Sequence, residues 1–244
     1  MPNNVEKMSI NYSPNFNRAK RKKKNIKYLV FHYTGMTNDM LAINRLTNFN
    51  SKVSCHYFID KNGKLTQLVP DLYIAWHAGK SYWKREKSLN NSSIGIEVSN
   101  PGHEHGYKNF SKKQILCLIK ISKILIKKYR IKKENILGHA DIAPLRKKDP
   151  GEKFPWKFLA KKNIGIWHNL NFKDCQKLRK KKINFEHKVF YKKLKKFGYF
   201  VNNSKKAEIL KTVKSFQRRF RPELINGKID MECFQIIKTL ISCK

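Results

Sequence analysis

Apolar runs and amphipathic stretches take turns along this chain, and their spacing sets the first expectations about its fold. Tyr28-Leu29-Val30-Phe31-His32 is a compact apolar run, the pattern of a buried strand. Asn38 and Asp39 can cap a short helix running through Phe49. A hairpin signal follows: Cys55 to Ile59, the turn Asp60-Lys61-Asn62-Gly63, then Leu65 to Val69. The Asn-Gly pair there offers the positive φ angles such turns use. Ile94-Gly95-Ile96-Glu97-Val98 predicts a further strand. Ser111-Lys112-Lys113-Gln114 is a capping box opening a helix to about Tyr129. Within it Ile115, Leu118, Ile119, Ser122, Leu125, Ile126 and Tyr129 keep the helical period, so one face is buried. Asn135 to His139 predicts a short strand entering a loop. Strands and helices mixed in this way imply an α/β domain with a mixed central sheet flanked by helices.

After Trp167 the pattern changes. Residues 171–188 include Lys177-Leu178-Arg179-Lys180-Lys181-Lys182, too charged for a core and expected as a linker or a solvated helix face. Val189 to Phe197, Lys205 to Phe220 and Met231 to Ser242 predict three short helices, punctuated by Gly198-Tyr199 and Asn226-Gly227. The expected organisation is therefore a basic arm over 1–25, an α/β domain over 26–170, a basic linker over 171–188, and a three-helix bundle over 189–244.

Charge widens the picture without deciding it. The 244 residues carry 54 Lys and Arg against 17 Asp and Glu, a formal net charge of +37. Such a field gathers polyanions, whether nucleic acid, anionic membrane or an acidic cell-wall polymer. Yet 44 of the basic residues are Lys, in a chain also rich in Ile and Asn, which a genomic compositional bias produces with no polyanion involved. The five cysteines (Cys55, Cys117, Cys175, Cys233, Cys243) form no close pair, which argues against a disulfide framework or a structural zinc knuckle. The basic run Lys20 to Lys24 is followed by only a strand-length apolar segment, short of a secretory signal. No stretch reaches the ~20 apolar residues of a membrane span. A cytoplasmic location is the expectation, with a periplasmic one open through an unrecognised export route.

Candidate chemistry sits where strands end. His32 closes the first strand, His139 follows Gly138 at the end of another, and Asp149 stands in the loop Arg146-Lys147-Lys148-Asp149-Pro150-Gly151. Two imidazoles, a carboxylate and one open position are what a catalytic zinc needs. Six segments then occur in order: His32-Tyr33-Thr34-Gly35-Met36, Ser54-Cys55-His56-Tyr57, Trp76-His77-Ala78-Gly79, Ser93-Ile94-Gly95-Ile96-Glu97, Gly138-His139-Ala140-Asp141 and Lys147-Lys148-Asp149-Pro150-Gly151. Together, over residues 26–160, the chain resembles the zinc-dependent N-acetylmuramoyl-L-alanine amidases. The resemblance implies hydrolysis of the bond between the lactyl group of N-acetylmuramic acid and L-alanine, in peptidoglycan or its fragments. It implies Zn2+ held by His32, His139 and Asp149, with Glu97 as base and Lys147 steadying the oxyanion. Lys148 is the alternative lysine, and the spacing favours Lys147. Tyr33, Thr34, Trp76 and His77 are implied substrate contacts. His56 is expected to be structural, and His103 and His105 to be surface-loop residues.

The C-terminal unit carries a looser likeness. Phe216-Gln217-Arg218-Arg219-Phe220, with Asn226-Gly227-Lys228-Ile229-Asp230 after it, resembles the small three-helix peptidoglycan-binding domain, in which the two phenylalanines are core. A helical add-on that props the first domain is the other reading. Two further functions compete with hydrolysis. A non-catalytic peptidoglycan-recognition protein would lack the metal aspartate or the base, and both Asp149 and Glu97 are present. A nucleic-acid binder would show a recognisable module or basic residues interleaved with aromatics, so no nucleic acid is expected as partner.

Overall fold

The computed structural model describes residues 8–202 and 205–242; the first seven residues of the basic arm, and Cys243, lie outside them. The strands in chain order are β1 (Ser9–Ile10), β2 (Phe16–Asn17), β3 (Tyr28–Tyr33), β4 (Tyr57–Ile59), β5 (Leu65–Gln67) and β6 (Ile74–Ala75). β7 (Tyr82–Trp83), β8 (Glu86–Lys87), β9 (Ser93–Val98) and β10 (Ile136–Gly138) follow. The helices are α1 (Asp39–Thr47), α2 (Lys112–Tyr129), α3 (His139–Ile142) and α4 (Trp156–Lys161), then α5 (Phe172–Lys180), α6 (His187–Phe197), α7 (Lys206–Phe220) and α8 (Met231–Ser242).

Six strands form one mixed sheet in the order β1-β5-β4-β9-β3-β10, parallel throughout except for the β4–β5 hairpin. Its central strands are apolar on both faces, because each face is covered by helices. Leu29, Phe31, Ile94 and Ile96 pack towards α2 and the Phe154–Trp156 corner. Tyr28, Val30 and Leu137 face the other way, against Phe190, Leu194, Phe197, Tyr199, Phe216 and Phe220 from α6, α7 and the turn between them. The helices expected as a separate bundle thus close the second face of the sheet and share one continuous core with it.

Local chemistry explains most elements, and two differ from the sequence expectation. Asn38 caps α1 by accepting from Met40 N, and Ser111 and Gln114 form the expected box at α2. The hairpin turn closes differently: only Gly63 takes a positive φ there, while the Asp60 carboxylate accepts from the backbone N–H groups of Asn62 and Lys64. A longer loop anchored by aspartate replaces the tight Asn-Gly turn. His139 begins helix α3 instead of entering a loop. The basic segment 171–188 contains α5, whose Arg179 reaches Glu232 at 2.6 Å and Glu223 at 2.8 Å. Apart from buried Cys175 its side chains are exposed or half-exposed, so of the two expectations the solvated helix face holds, and what the sequence does not show is its docking on acids remote in the chain.

The described part of the arm is woven into the fold. β1 adds to the sheet beside β5, β2 pairs with β6, and buried Arg21 donates to the carbonyls of Asp71 and Asn90. Asp71 ties this region to α2. Its carboxylate accepts from Tyr57 Oη at 2.5 Å, Tyr129 Oη at 2.6 Å and Lys128 Nζ at 2.7 Å. Burial pushes the Asp71 carboxyl up, but Lys128 and the two phenols outweigh it and hold it below its ordinary value. Asp71→Ala is expected to lower stability by about 2–4 kcal/mol in urea unfolding, since it strands two buried hydroxyls. The depressed folded-state value fixes the sign. The contribution is complete above the unfolded-state pKa of about 3.9 and is lost as pH falls through the lower folded one. The gap between wild type and variant therefore narrows below about pH 4.

Candidate metal centre and active site

Strand register brings the chemistry together. In the parallel pair β3–β9, His32 stands opposite Glu97; in β3–β10, Gly138 stands opposite Phe31, so His139 emerges beside His32. All three lie at the carboxyl ends of parallel strands, where such sheets open a crevice. Asp149 arrives from the loop after α3, its backbone carbonyl accepting from Ala140 N at 2.8 Å.

His32 Nδ1, His139 Nδ1 and an Asp149 carboxylate oxygen form a buried triangle with edges of 2.9, 3.0 and 3.2 Å. Tetrahedral ligands around a zinc ion stand roughly 3.3 Å apart, given metal–nitrogen and metal–oxygen bonds near 2.0–2.1 Å. The hydrogen bonds behind the triangle favour one set of tautomers. Ser93 Oγ gives its only proton to Leu89 O at 2.6 Å, so it accepts from His77 Nε2 at 3.2 Å. His77 Nδ1 is then a lone pair, which accepts from His32 Nε2 at 3.0 Å. That leaves the His32 Nδ1 lone pair facing the triangle. His139 Nε2 lies 3.2 Å from Ala78 O, a carbonyl it shares with Arg146, and donating there turns its own Nδ1 lone pair inward. Two imidazole lone pairs and a carboxylate aimed at one point are the donor set of a divalent cation. The charge states agree. Burial and the neighbouring His139 pull the His32 imidazole down to about 4, so it is neutral at pH 7. Burial pushes the Asp149 carboxyl up, but His139 and His32 in their protonated forms outweigh it and hold it below its ordinary range.

His77, an expected substrate contact, lines the cavity in front of the triangle and also braces a metal-site histidine. Both its nitrogens are engaged and its ring braces His32 edge-on at 5.1 Å between centroids. Gly95 leaves it room: a Cβ on that strand residue would overlap the His77 ring. His56 is structural, as expected, held by Gly95 N, Arg21 and Tyr73 O.

In front of the triangle lies a cavity of about 500 Å³ lined by Tyr33, Thr34, Trp76, Glu97, Lys147 and Asp149 among others. Glu97 Oε2 is buried there without a partner. Burial, and then the Asp149 charge, raise its carboxyl well above the ordinary range, with Lys147 opposing them. Lys147 is also the lysine whose charge acts on His32. Trp76 is half-buried, with Nε1 donating to Asn17 Oδ1 at 2.7 Å. The Thr34 hydroxyl is spent on Asn100, whose carbonyl it donates to at 3.1 Å. His103, expected as an ordinary surface-loop residue, is part of the wall: it meets Tyr33 Oη at 2.9 Å and Glu152 at 3.0 Å. Arg45 on α1 and Arg146 line the cavity as well and were missed. Nothing in sequence marks Arg45, whereas Arg146 stands within the flagged loop.

A mixed sheet with a metal-compatible His/His/Asp triangle at its carboxyl edge, and a lone buried carboxylate beside it, defines the class as a hydrolase. The sequence model of the N-acetylmuramoyl-L-alanine amidase family matches residues 22–152. The chain belongs to that family. It is 37% identical over 232 residues to N-acetylmuramoyl-L-alanine amidase AmiD of Escherichia coli, covering 88% of this chain and 82% of that protein. It is 36% identical over 110 residues to the 1,6-anhydro-N-acetylmuramyl-L-alanine amidase AmpD of Haemophilus influenzae, covering 45% of this chain and 58% of AmpD. Among solved structures, the complex of E. coli AmiD with anhydro-N-acetylmuramic acid-L-Ala-D-γ-Glu-L-Lys superposes with a TM-score of 0.80 at 34% identity, over 93% of each chain. AmpDh3 of Pseudomonas aeruginosa, in complex with anhydromuramic pentapeptide, gives 0.81 at 27% identity over 94% of this chain and 96% of that one. Among the described residues no helix is long and apolar enough to cross a membrane.

Proposed function

We propose that this protein cleaves the amide bond between the lactyl group of N-acetylmuramic acid and L-alanine with a zinc ion held by His32, His139 and Asp149. The observation that carries this reading is the buried triangle of donors, its two histidines held from behind. Bound there, zinc supplies a Lewis acid for the carbonyl and lowers the pKa of a coordinated water to about 7. The chain's own groups do the rest. Glu97, with one oxygen unpartnered and its affinity for protons raised, takes a proton from the attacking water and returns it to the L-alanine nitrogen as the bond breaks. Lys147 offsets the negative charge that develops on the carbonyl oxygen. Tyr33 and Trp76 contribute ring surface to the groove, while Thr34 shapes its wall and His77 keeps His32 in its tautomer. Arg45, Arg146 and Lys148 give the cavity a basic rim that suits the carboxylates of a stem peptide.

The occupant of this reading is peptidoglycan or a muropeptide. The C-terminal helices over 189–244 have a share in holding it through their likeness to a peptidoglycan-binding domain. The buried thiols of Cys55, Cys175 and Cys233 support a reducing compartment, the cytoplasm. The test is peptide release from purified muropeptides with a chelator, without it, and after zinc add-back. Chelator-sensitive release of a stem peptide with a free L-alanine amine, restored by zinc, is the expected result. Zinc binding with no release from anhydro or reducing fragments would instead make this a recognition protein.

A further inference from the structure

Asp141, the last residue of the Gly138-His139-Ala140-Asp141 segment, has no part in the chemistry above, yet it is only 2% exposed. One carboxylate oxygen accepts from Gly138 N at 2.7 Å, closing the turn that starts α3 and carries His139. The remaining partners all come from the C-terminal helices. Arg219 on α7 forms an ion pair with that same oxygen, and Tyr199, after α6, donates from Oη to the other at 2.5 Å. Arg219 also donates to Ile136 O at 2.9 Å, and its guanidinium lies 4.1 Å over the Trp156 ring. One turn earlier on α7, Ser215 Oγ donates to Ala140 O at 2.6 Å. The adjacent Arg218 reaches Glu152 at 3.3 Å, three residues beyond Asp149. A single helix remote in sequence therefore grips two of the three segments that carry metal-site residues.

We propose that Asp141, clamped by Arg219 and Tyr199, together with the Ala140 carbonyl held by Ser215, positions His139, so that the C-terminal helices set the metal affinity of a site to which they contribute no ligand. Groups behind a metal ligand act by fixing its orientation, and losing one costs roughly 10–100-fold in affinity. Here the grip works on backbone. It holds the Gly138–Ala140 turn against α7, and His139 Nδ1 points where that turn aims it. Arg219 and Asp141 are positioning residues in this account, and neither touches substrate.

The inference rests on the zinc ligands proposed above, and the experiment separates the two. Full-length wild type, Arg219→Met and Ser215→Ala are titrated with zinc against a chelating dye, and the fold of each metal-free form is checked by circular dichroism and its Tm. Wild type is expected to bind one zinc ion. Arg219→Met, which leaves Asp141 without its cation, is expected to bind it about 10–100-fold more weakly, with peptide release recovering at excess zinc. Should Arg219→Met fail to fold, Ser215→Ala decides, since it removes one hydrogen bond and no charge; a several-fold loss of zinc affinity is expected there. A folded variant with wild-type zinc affinity would overturn the clamp while leaving the ligand assignment standing. A wild type that binds no zinc would overturn the ligand assignment, and the clamp with it.

Discussion

Replacing Asp149 by alanine is expected to leave the folded protein without bound metal and without measurable release of stem peptide. Asp149 supplies the only anionic corner of the triangle, and both histidine nitrogens lie within 3.2 Å of its oxygen. Two neutral imidazoles alone hold a divalent cation poorly, because the carboxylate provides the charge that compensates for its dehydration. Without the metal a water molecule keeps its ordinary acidity, about eight to nine orders of magnitude below that reached beside zinc. Metal analysis of the purified variant and a muropeptide assay read the two effects separately. A variant that turns over without metal would sink the ligand assignment. A variant that keeps zinc and loses activity would move Asp149 from ligand to catalytic group.

Glu97→Ala is expected to give the opposite pairing: full zinc content and a rate lower by about 10²–10⁴-fold, the range for losing a positioned proton-transfer group. Glu97 is opposite His32 in the β3–β9 register but outside the triangle, so its removal takes no ligand away. Its buried, unpartnered oxygen and raised carboxyl pKa mark it as a group built to exchange a proton. Zinc content and kcat on one muropeptide check the prediction together. Near-normal kcat with zinc bound would remove Glu97 from the mechanism, and loss of zinc would make it part of the metal site.

Much of the site was legible because its residues lie in short motifs next to strand ends. His32, His139, Asp149, Glu97 and Lys147 are all named by the sequence; the last four line one cavity, and His32 lies behind it against His139 and Asp149. The residues around them were less legible. The motif around His77 gives its neighbours and a place on the cavity wall, but not its hydrogen bonds. Its hydrogen-bond partners, His32 and Ser93, lie 45 and 16 residues away. Arg45 went unmarked and His103 was expected as a surface-loop residue, because a charged helix face and a loop histidine look alike whether or not they border a cavity.

What the sequence determined by itself is the set of local structures with their buried faces: the apolar strands β3 and β9, the capped helix α2, and the helical periods of α6, α7 and α8. Periodicity reports that a face is buried, because burial of apolar area drives local patterning. It does not report what covers that face. Only the tertiary structure decided that the C-terminal helices seal the second side of the sheet, that α5 docks through Arg179 on Glu232, and that Arg219 meets Asp141. Such pairings join groups tens of residues apart, and each partner looks in its own segment like one more charge on a strongly basic chain.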